Sequence, residues 1–299
     1  MSFLQNYYPE IITYILLAAS ILSFWLVETK KFPLLLFSTS FLFALISNQI
    51  NWLSLISIGL ISAFLYLIYH KKPDFDRKYP KIYIFIRISA ILLFVVLAIL
   101  IFSHKIPGYN NWRIFDVKLS EYSDSFEFWL NFDKPIIGFM LLLFAYYPVK
   151  NNTNFLEIFS RDVFYFFIKA ILTIILFGIA ISYLTFDPKF PSFEFLLLWG
   201  FKMVFFTVIV EELFFRFFIQ NHIITFFQKH KSGETIGWIL SSILFGLFHI
   251  EAGIEFVFLA TISGLFYGKI YLKTKRIESA MLLHFIINFI HLIFFAYPR

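Results

Sequence analysis

Residues 208–220 read VIVEELFFRFFIQ, two glutamates and an arginine set in an apolar run. Where that run sits decides the fold. Each ionisable side chain costs roughly 2.5–3.5 kcal/mol at the centre of a membrane-spanning helix. A chain keeps three of them there only where they face each other or a wet interior. The composition around the run supplies the setting. Of 299 residues 60% are hydrophobic, 45 are Phe and only 15% are charged, against about 25% charged in soluble domains. This is the composition of a polytopic membrane protein.

Apolar runs recur at 11–27, 33–47, 52–69, 82–102, 135–149, 163–184, 195–219, 235–250, 254–272 and 279–297. At ~20 residues per crossing they predict an all-α, polytopic transmembrane helix bundle of about ten spans. The runs at 33–47, 135–149 and 235–250 are short enough to be tilted or re-entrant. No Lys or Arg precedes the first run, so it reads as a span and not as a cleaved signal peptide. The net charge of +6 does not point to nucleic acid, because the basic residues fall in short loops between apolar runs. Their bias favours both termini outside, with Lys30, Lys31, Lys71, Lys72, Arg77, Lys78, Lys81 and Lys150 among the inside residues. Arg299 counts among the fewer outside ones. With no cysteine, disulfides, thiolate metal sites and cysteine nucleophiles are excluded together.

Two divisions are expected. Residues 1–134 form a transmembrane extension of plain hydrophobic spans. It closes on the segment 103–134, SHKIPGYNNWRIFDVKLSEYSDSFEFWLNFDK, which reads as an interfacial loop or a lid anchored by aromatic residues. Residues 135–299 collect the intramembrane polar groups. Glu212 and Arg216 are four apart with the acid first, the favourable order for a same-face ion pair. Glu211 lies ~100° further round the helix and keeps no local cation. One carboxylate is paired and the other is available.

The next runs continue the pattern. Phe245 and His249 share a face of GWILSSILFGLFHI at 237–250, and Ser242 and Gly246 offer a small-xxx-small contact. Ala260, Gly264 and Gly268 repeat that spacing. In MLLHFIINFIHLIFF, 281–295, a polar stripe of His284, Asn288 and His291 runs down one side. Such residues face the bundle interior or a wet cavity.

EELFFR (211–216), FGLFH (245–249) and HFIIN (284–288) match, in order, the EExxxR, FxxxH and HxxxN motifs of the CPBP intramembrane protease family. That family includes CAAX prenyl endopeptidases and proteins linked to bacteriocin processing or self-immunity. The resemblance covers 135–299 and implies a CPBP-type protease core there. It implies that Glu211 activates the attacking water with help from His249. His284 and Asn288 then stabilise the oxyanion or share in binding a metal, while Glu212, Arg216 and Phe245 support the site. The implied substrate is a membrane-associated peptide or lipidated protein, CAAX-like or bacteriocin-type, met in the lipid bilayer.

Glu211, His249 and His284 are the candidate ligands if Zn2+ is the cofactor, with one position open for water. There is no HExxH pair, and the same groups serve a metal-free, glutamate-activated mechanism. The alternatives to an enzyme are a catalytically silent immunity or scaffold protein, or a proton-coupled transporter using Glu211 and the histidines as a relay. One tension follows from helix rise. At 1.5 Å per residue, Glu211, His249 and His284 lie ~13, ~21 and ~9 Å from the inside ends of their runs. Either the 195–219 run is broken or the 235–250 run is tilted.

Overall fold

The computed structural model describes residues 7–70, 73–146 and 158–297. Lys71, Lys72, Lys150 and Arg299, and the end of the 135–149 run, lie outside them. Among the described residues there are eleven helices and one two-stranded sheet. The chain divides into two compact units, 1–114 with 129–151, and 115–128 with 152–299.

The first unit holds α1 (Tyr8–Ser23), α2 (Lys31–Ile46), α3 (Ser54–Tyr69), the short α4 (Pro73–Lys78), α5 (Pro80–Phe102) and α6 (Asp133–Phe144). Proline in the first turn starts α1 and α5, where its missing N–H costs nothing and its φ already suits a helix. The core of this unit forms where α1, α3 and α5 meet α6, around fully buried Leu17, Ile21, Phe94, Ile136 and Phe139. Phe37 of α2 stacks on Phe139 with centroids 4.1 Å apart.

Strands β1 (Trp112–Lys118) and β2 (Ser125–Leu130) form a hairpin. The segment expected to be an interfacial loop or a lid is therefore in part β-structure, within a fold that is otherwise predominantly all-α as expected. The reason is legible in β2, where Phe126, Phe128 and Leu130 are buried and Ser125 and Glu127 exposed. That is the period-two alternation of a half-buried strand.

The second unit contains α7 (Arg161–Ala180), α8 (residues 193–226), α9 (Gly233–Leu247), α10 (Ile254–Thr274) and α11 (Ile277–Phe294). Side-chain caps start two of them: Ser160 Oγ accepts from Val163 N, and Ser192 Oγ from Phe195 N. The turn into α10 passes through Gly253 at φ +96°, a backbone region that L side chains rarely adopt. Helix α9 lies along α10, which also packs on α7 and α11. A Cβ on Gly246 would stand 2.7 Å from the Val257 carbonyl oxygen, and one on Gly264 3.2 Å from Cα of Ser242. The small residues therefore set the spacing of α9 and α10.

Helices α5, α7, α8, α10 and α11 are each long and apolar enough to cross a membrane. The other expected spans are helical but shorter; α1, α2 and α3 each have 16 residues.

Candidate active site

The two glutamates sit in the middle of α8, a helix of 34 residues. One ordinary α-turn, Ile209–Glu212, carries them. On either side the backbone widens to i→i+5 bonding, over Met203–Val208 and Leu213–Gln220. Wide turns of this kind are rare and concentrate at functional sites. The helix is not broken at the glutamates; it continues through them to Phe226.

Glu212 is fully engaged. Arg216 Nε donates to its Oε2 at 3.1 Å, and both side chains are completely buried. Its Oε1 lies 2.8 Å from His284 Nδ1, so one carboxylate ties α8 to α11. The Arg216 guanidinium carbon lies 4.9 Å from the Phe245 ring centroid and 5.9 Å from that of Tyr267. Its Nη1 and Nη2 have no hydrogen-bond partner among the described residues. The aromatic faces are what the rest of the cation meets.

The imidazoles are held by rings. Helix α9 ends at Leu247, and His249 follows it with Nδ1 2.8 Å from the Phe245 carbonyl oxygen. Phe245 meets His249 edge-on at 4.9 Å and His284 at 5.9 Å. Tyr267 stacks on His284 at 4.6 Å. Asn288 Nδ2 lies 3.3 Å from Met203 Sδ, a weak acceptor.

Glu211, His249, His284 and Asn288 line one cavity of about 290 Å³, and Phe245 forms part of its wall. The depth mismatch expected from the sequence resolves in two ways. Helix α8 continues past residue 219 to Phe226, and His249 lies beyond the end of α9 and not inside a span. Glu211 contrasts with its neighbour, since its Oε2 is buried and has no hydrogen-bond partner among the described residues.

The donor set for a metal is not assembled in this arrangement. Among the described residues no three His, Asp or Glu side chains are grouped to hold an ion. Nδ1 of His249 and of His284 already face a carbonyl and a carboxylate. Those contacts leave Nε2 of each ring as the nitrogen that would meet a Zn2+ together with Glu211, and no step below runs through a metal.

The cavity is also lined by Tyr183, Thr207, Tyr267, His291 and Tyr297, none of which was in the expected site. His291 had a signal, its place on the polar stripe of α11. Tyr183 and Tyr297 come from segments outside the helices, and nothing in their sequence neighbourhood marks them.

Long apolar helices around a cavity lined by a carboxylate and imidazoles mark an integral membrane protein. Residues 192–290 match the family model described as Rce1-like, type II CAAX prenyl endopeptidase Rce1-like, in agreement with the motif resemblance. The matched stretch is thus similar to a domain of the intramembrane CAAX-type endopeptidases. It comprises α8, α9, α10 and most of α11. No curated protein and no solved structure matches the chain.

Proposed function

We propose that the protein is an intramembrane endopeptidase in which Glu211 is the general base. The observation that carries this reading is the difference between the adjacent glutamates. Glu212 is consumed by Arg216 and His284, whereas Glu211 keeps an oxygen without a partner among the described residues and lines a cavity shared with His249, His284 and Asn288.

The chemistry follows from those groups. A water beside Glu211, oriented with His249, gives its proton to the Glu211 carboxylate as its oxygen attacks the scissile carbonyl carbon. The carbonyl oxygen becomes an oxyanion. Asn288 leaves a poor thioether acceptor to donate to it. His284 is held through Nδ1 by the Glu212 carboxylate, and its Nε2 is a donor when that nitrogen carries a proton. Each well-aimed donor contributes about 3–4 kcal/mol to such a transition state. Collapse breaks the C–N bond, and the proton held by Glu211 passes to the leaving amine. The substrate is a membrane-associated peptide or lipidated protein, with a CAAX-like tail favoured by the family match.

The test is cleavage of a prenylated Cys-X-X-X peptide by the protein reconstituted in liposomes. Glu211→Gln and His249→Ala each lower kcat roughly 10²–10⁴-fold, as loss of an acid–base group does, with helicity retained. Equal turnover by Glu211→Gln sinks the reading. Glu211-dependent proton flux without cleavage transfers the site to the transporter reading. A chelator arm decides the metal question, since a zinc-dependent enzyme loses activity and regains it when zinc is returned.

A further inference from the structure

Thr207 takes no part in the steps above, yet it lines the same cavity. The side chain is half-buried, and its hydroxyl makes no hydrogen bond among the described residues. Unlike Glu211 Oε2 or His291 Nε2, its oxygen is not sealed from solvent. Other helical threonines behave differently. Thr13, Thr39, Thr173, Thr225, Thr261 and Thr274 each give the hydroxyl to the carbonyl four residues back, the usual outlet for a helical hydroxyl. Those six stand in ordinary α-turns. Thr207 stands in the wide turn Met203–Val208, where the backbone bonds i→i+5, and its hydroxyl is left to the cavity.

Helix geometry says what that hydroxyl faces. Thr207 and Glu211 are four apart on α8, so they share a face, and both line the cavity. At 1.5 Å per residue they are about 6 Å apart along the axis. Two groups that hold one water between them, each at about 2.6–3.2 Å, stand roughly 5–6 Å apart. Across the cavity, α11 supplies the register. Glu212 meets His284 and Met203 meets Asn288, so Thr207, between 203 and 212, is level with the stretch between those two side chains. Helix α8 thus presents a carboxylate and a hydroxyl on the water side, opposite the two oxyanion donors of α11.

The hydrogen-bonding capacity of the water says what the hydroxyl does. A carbonyl oxygen only accepts, so His249 Nδ1, 2.8 Å from the Phe245 carbonyl oxygen, carries the proton. In the neutral ring Nε2 is then an acceptor. A water that gives one proton to Glu211 and points the other at His249 Nε2 keeps two lone pairs. Donation from Thr207 to one of them leaves a single lone pair, fixed in direction, for the scissile carbon. Holding a reactant in one orientation is itself a source of rate.

We infer that Thr207 is a catalytic residue that donates a hydrogen bond to the attacking water and so aims it. This rests on the endopeptidase reading of the cavity. Thr207 gains and loses no proton in the reaction.

The experiment measures cleavage of a prenylated Cys-X-X-X peptide in liposomes, with melting in detergent measured in parallel. Thr207→Val keeps the shape and removes the hydroxyl. That hydroxyl has no partner in the protein to lose, so the melting temperature holds or rises. The kcat falls roughly 3- to 10-fold, the worth of one neutral hydrogen bond, and KM stays at the parent value. Thr207→Ser restores the hydroxyl and recovers the lost turnover. Thr207→Ala against Thr207→Ser is a second pair that differs by the hydroxyl alone and shows the same ratio in kcat. Parent turnover in Thr207→Val beside an inactive Glu211→Gln removes Thr207 and leaves the base standing. A variant that melts lower and loses KM together with kcat gives the residue a structural role, which overturns the inference. A peptidyl ester on Thr207, found by mass spectrometry after an acid quench, makes the hydroxyl the nucleophile and overturns it too. An active Glu211→Gln protein removes the base assignment and the held water with it.

Discussion

The two units bury polar side chains in opposite ways. In the first the fully buried ones are mostly neutral and satisfied, while Glu10 Oε2, Asp76 Oδ1 and Arg87 Nε lie apart from one another without a hydrogen-bond partner among the described residues. Thr13 Oγ1 donates to the Pro9 carbonyl, Ser20 Oγ to Leu17 and Ser23 Oγ to Ser20, each at 2.7 Å. Ser40 Oγ joins α2 to α1 through the Thr13 carbonyl, also at 2.7 Å. The Tyr14 hydroxyl lies 2.7 Å from Gln49 Oε1. The buried carboxylate of Asp133 sits at the start of α6, bonded to His104 at 2.6 Å, and not in mid-helix. The second unit adds buried ionisable groups that are incompletely paired: Glu211 Oε2 and Arg216 Nη1 and Nη2 in mid-helix, and His291 Nε2 in the last turn of α11. Hydroxyls bonded to nearby carbonyls tie helices together at little desolvation cost. Unpaired ionisable groups beside a cavity are costly to keep, which is the pattern of a site held ready for a ligand.

The contrast is sharpest at Glu212. Glu212→Gln keeps the shape but removes the charge opposite Arg216, whose guanidinium is completely buried. Breaking a buried pair by removing one partner costs about 3–5 kcal/mol. The variant is expected to lose most of its monodisperse yield and melt well below the parent in detergent, whereas Glu211→Gln keeps the parent's yield. The reverse result, with Glu211→Gln misfolded and Glu212→Gln benign, breaks the assignment of one glutamate to structure and the other to chemistry. A double change, Glu212→Gln with Arg216→Met, recovers part of the lost stability if the stranded cation is the cause.

These effects trace to residues that the sequence exposed unevenly. The helices were legible because an apolar run has few alternatives to helix in a membrane, and the Glu212–Arg216 spacing announced its ion pair. The hairpin is harder to read: SFEFWL alternates but WRIFDVK breaks its alternation at Ile114 and Phe115, and aromatic residues beside lipid also read as interfacial anchors. The wide turns around Ile209–Glu212 had no signal, since nothing in the residue spacing there marks i→i+5 bonding. Tyr183 and Tyr297 reach the cavity only through chain reversals outside the helices. Of the cavity's polar lining, the sequence revealed what lies on one helix face and missed what the loops bring in.

The contact of α9 with α10 gives an intermediate effect. Gly246→Val puts a branched side chain where even a Cβ stands 2.7 Å from the Val257 carbonyl oxygen. Backbone cannot yield as a flexible side chain does, so α9 shifts from α10 at a cost of about 1–3 kcal/mol. Because Phe245 and His249 flank this glycine, kcat falls together with the melting temperature. A lower melting temperature with unchanged kcat would show that the imidazole is positioned independently of the helix contact.

The smallest effect tests the first unit's side of the comparison. Ser40→Ala removes the hydroxyl that crosses from α2 to the Thr13 carbonyl. Thr13 lies within α1, where its carbonyl keeps an intrahelical partner, so no acceptor is orphaned. Measured interhelical hydrogen bonds in membranes average about 0.6 kcal/mol, and a similar loss is expected here, read as a small downward shift of the detergent melting curve. Ser40 touches none of the groups that line the cavity, so cleavage below the melting temperature should match the parent. A loss as large as that of Glu212→Gln would mean that neutral hydroxyl contacts are as consequential as the buried ion pair. The distinction between a satisfied scaffold and a charged site would then fail.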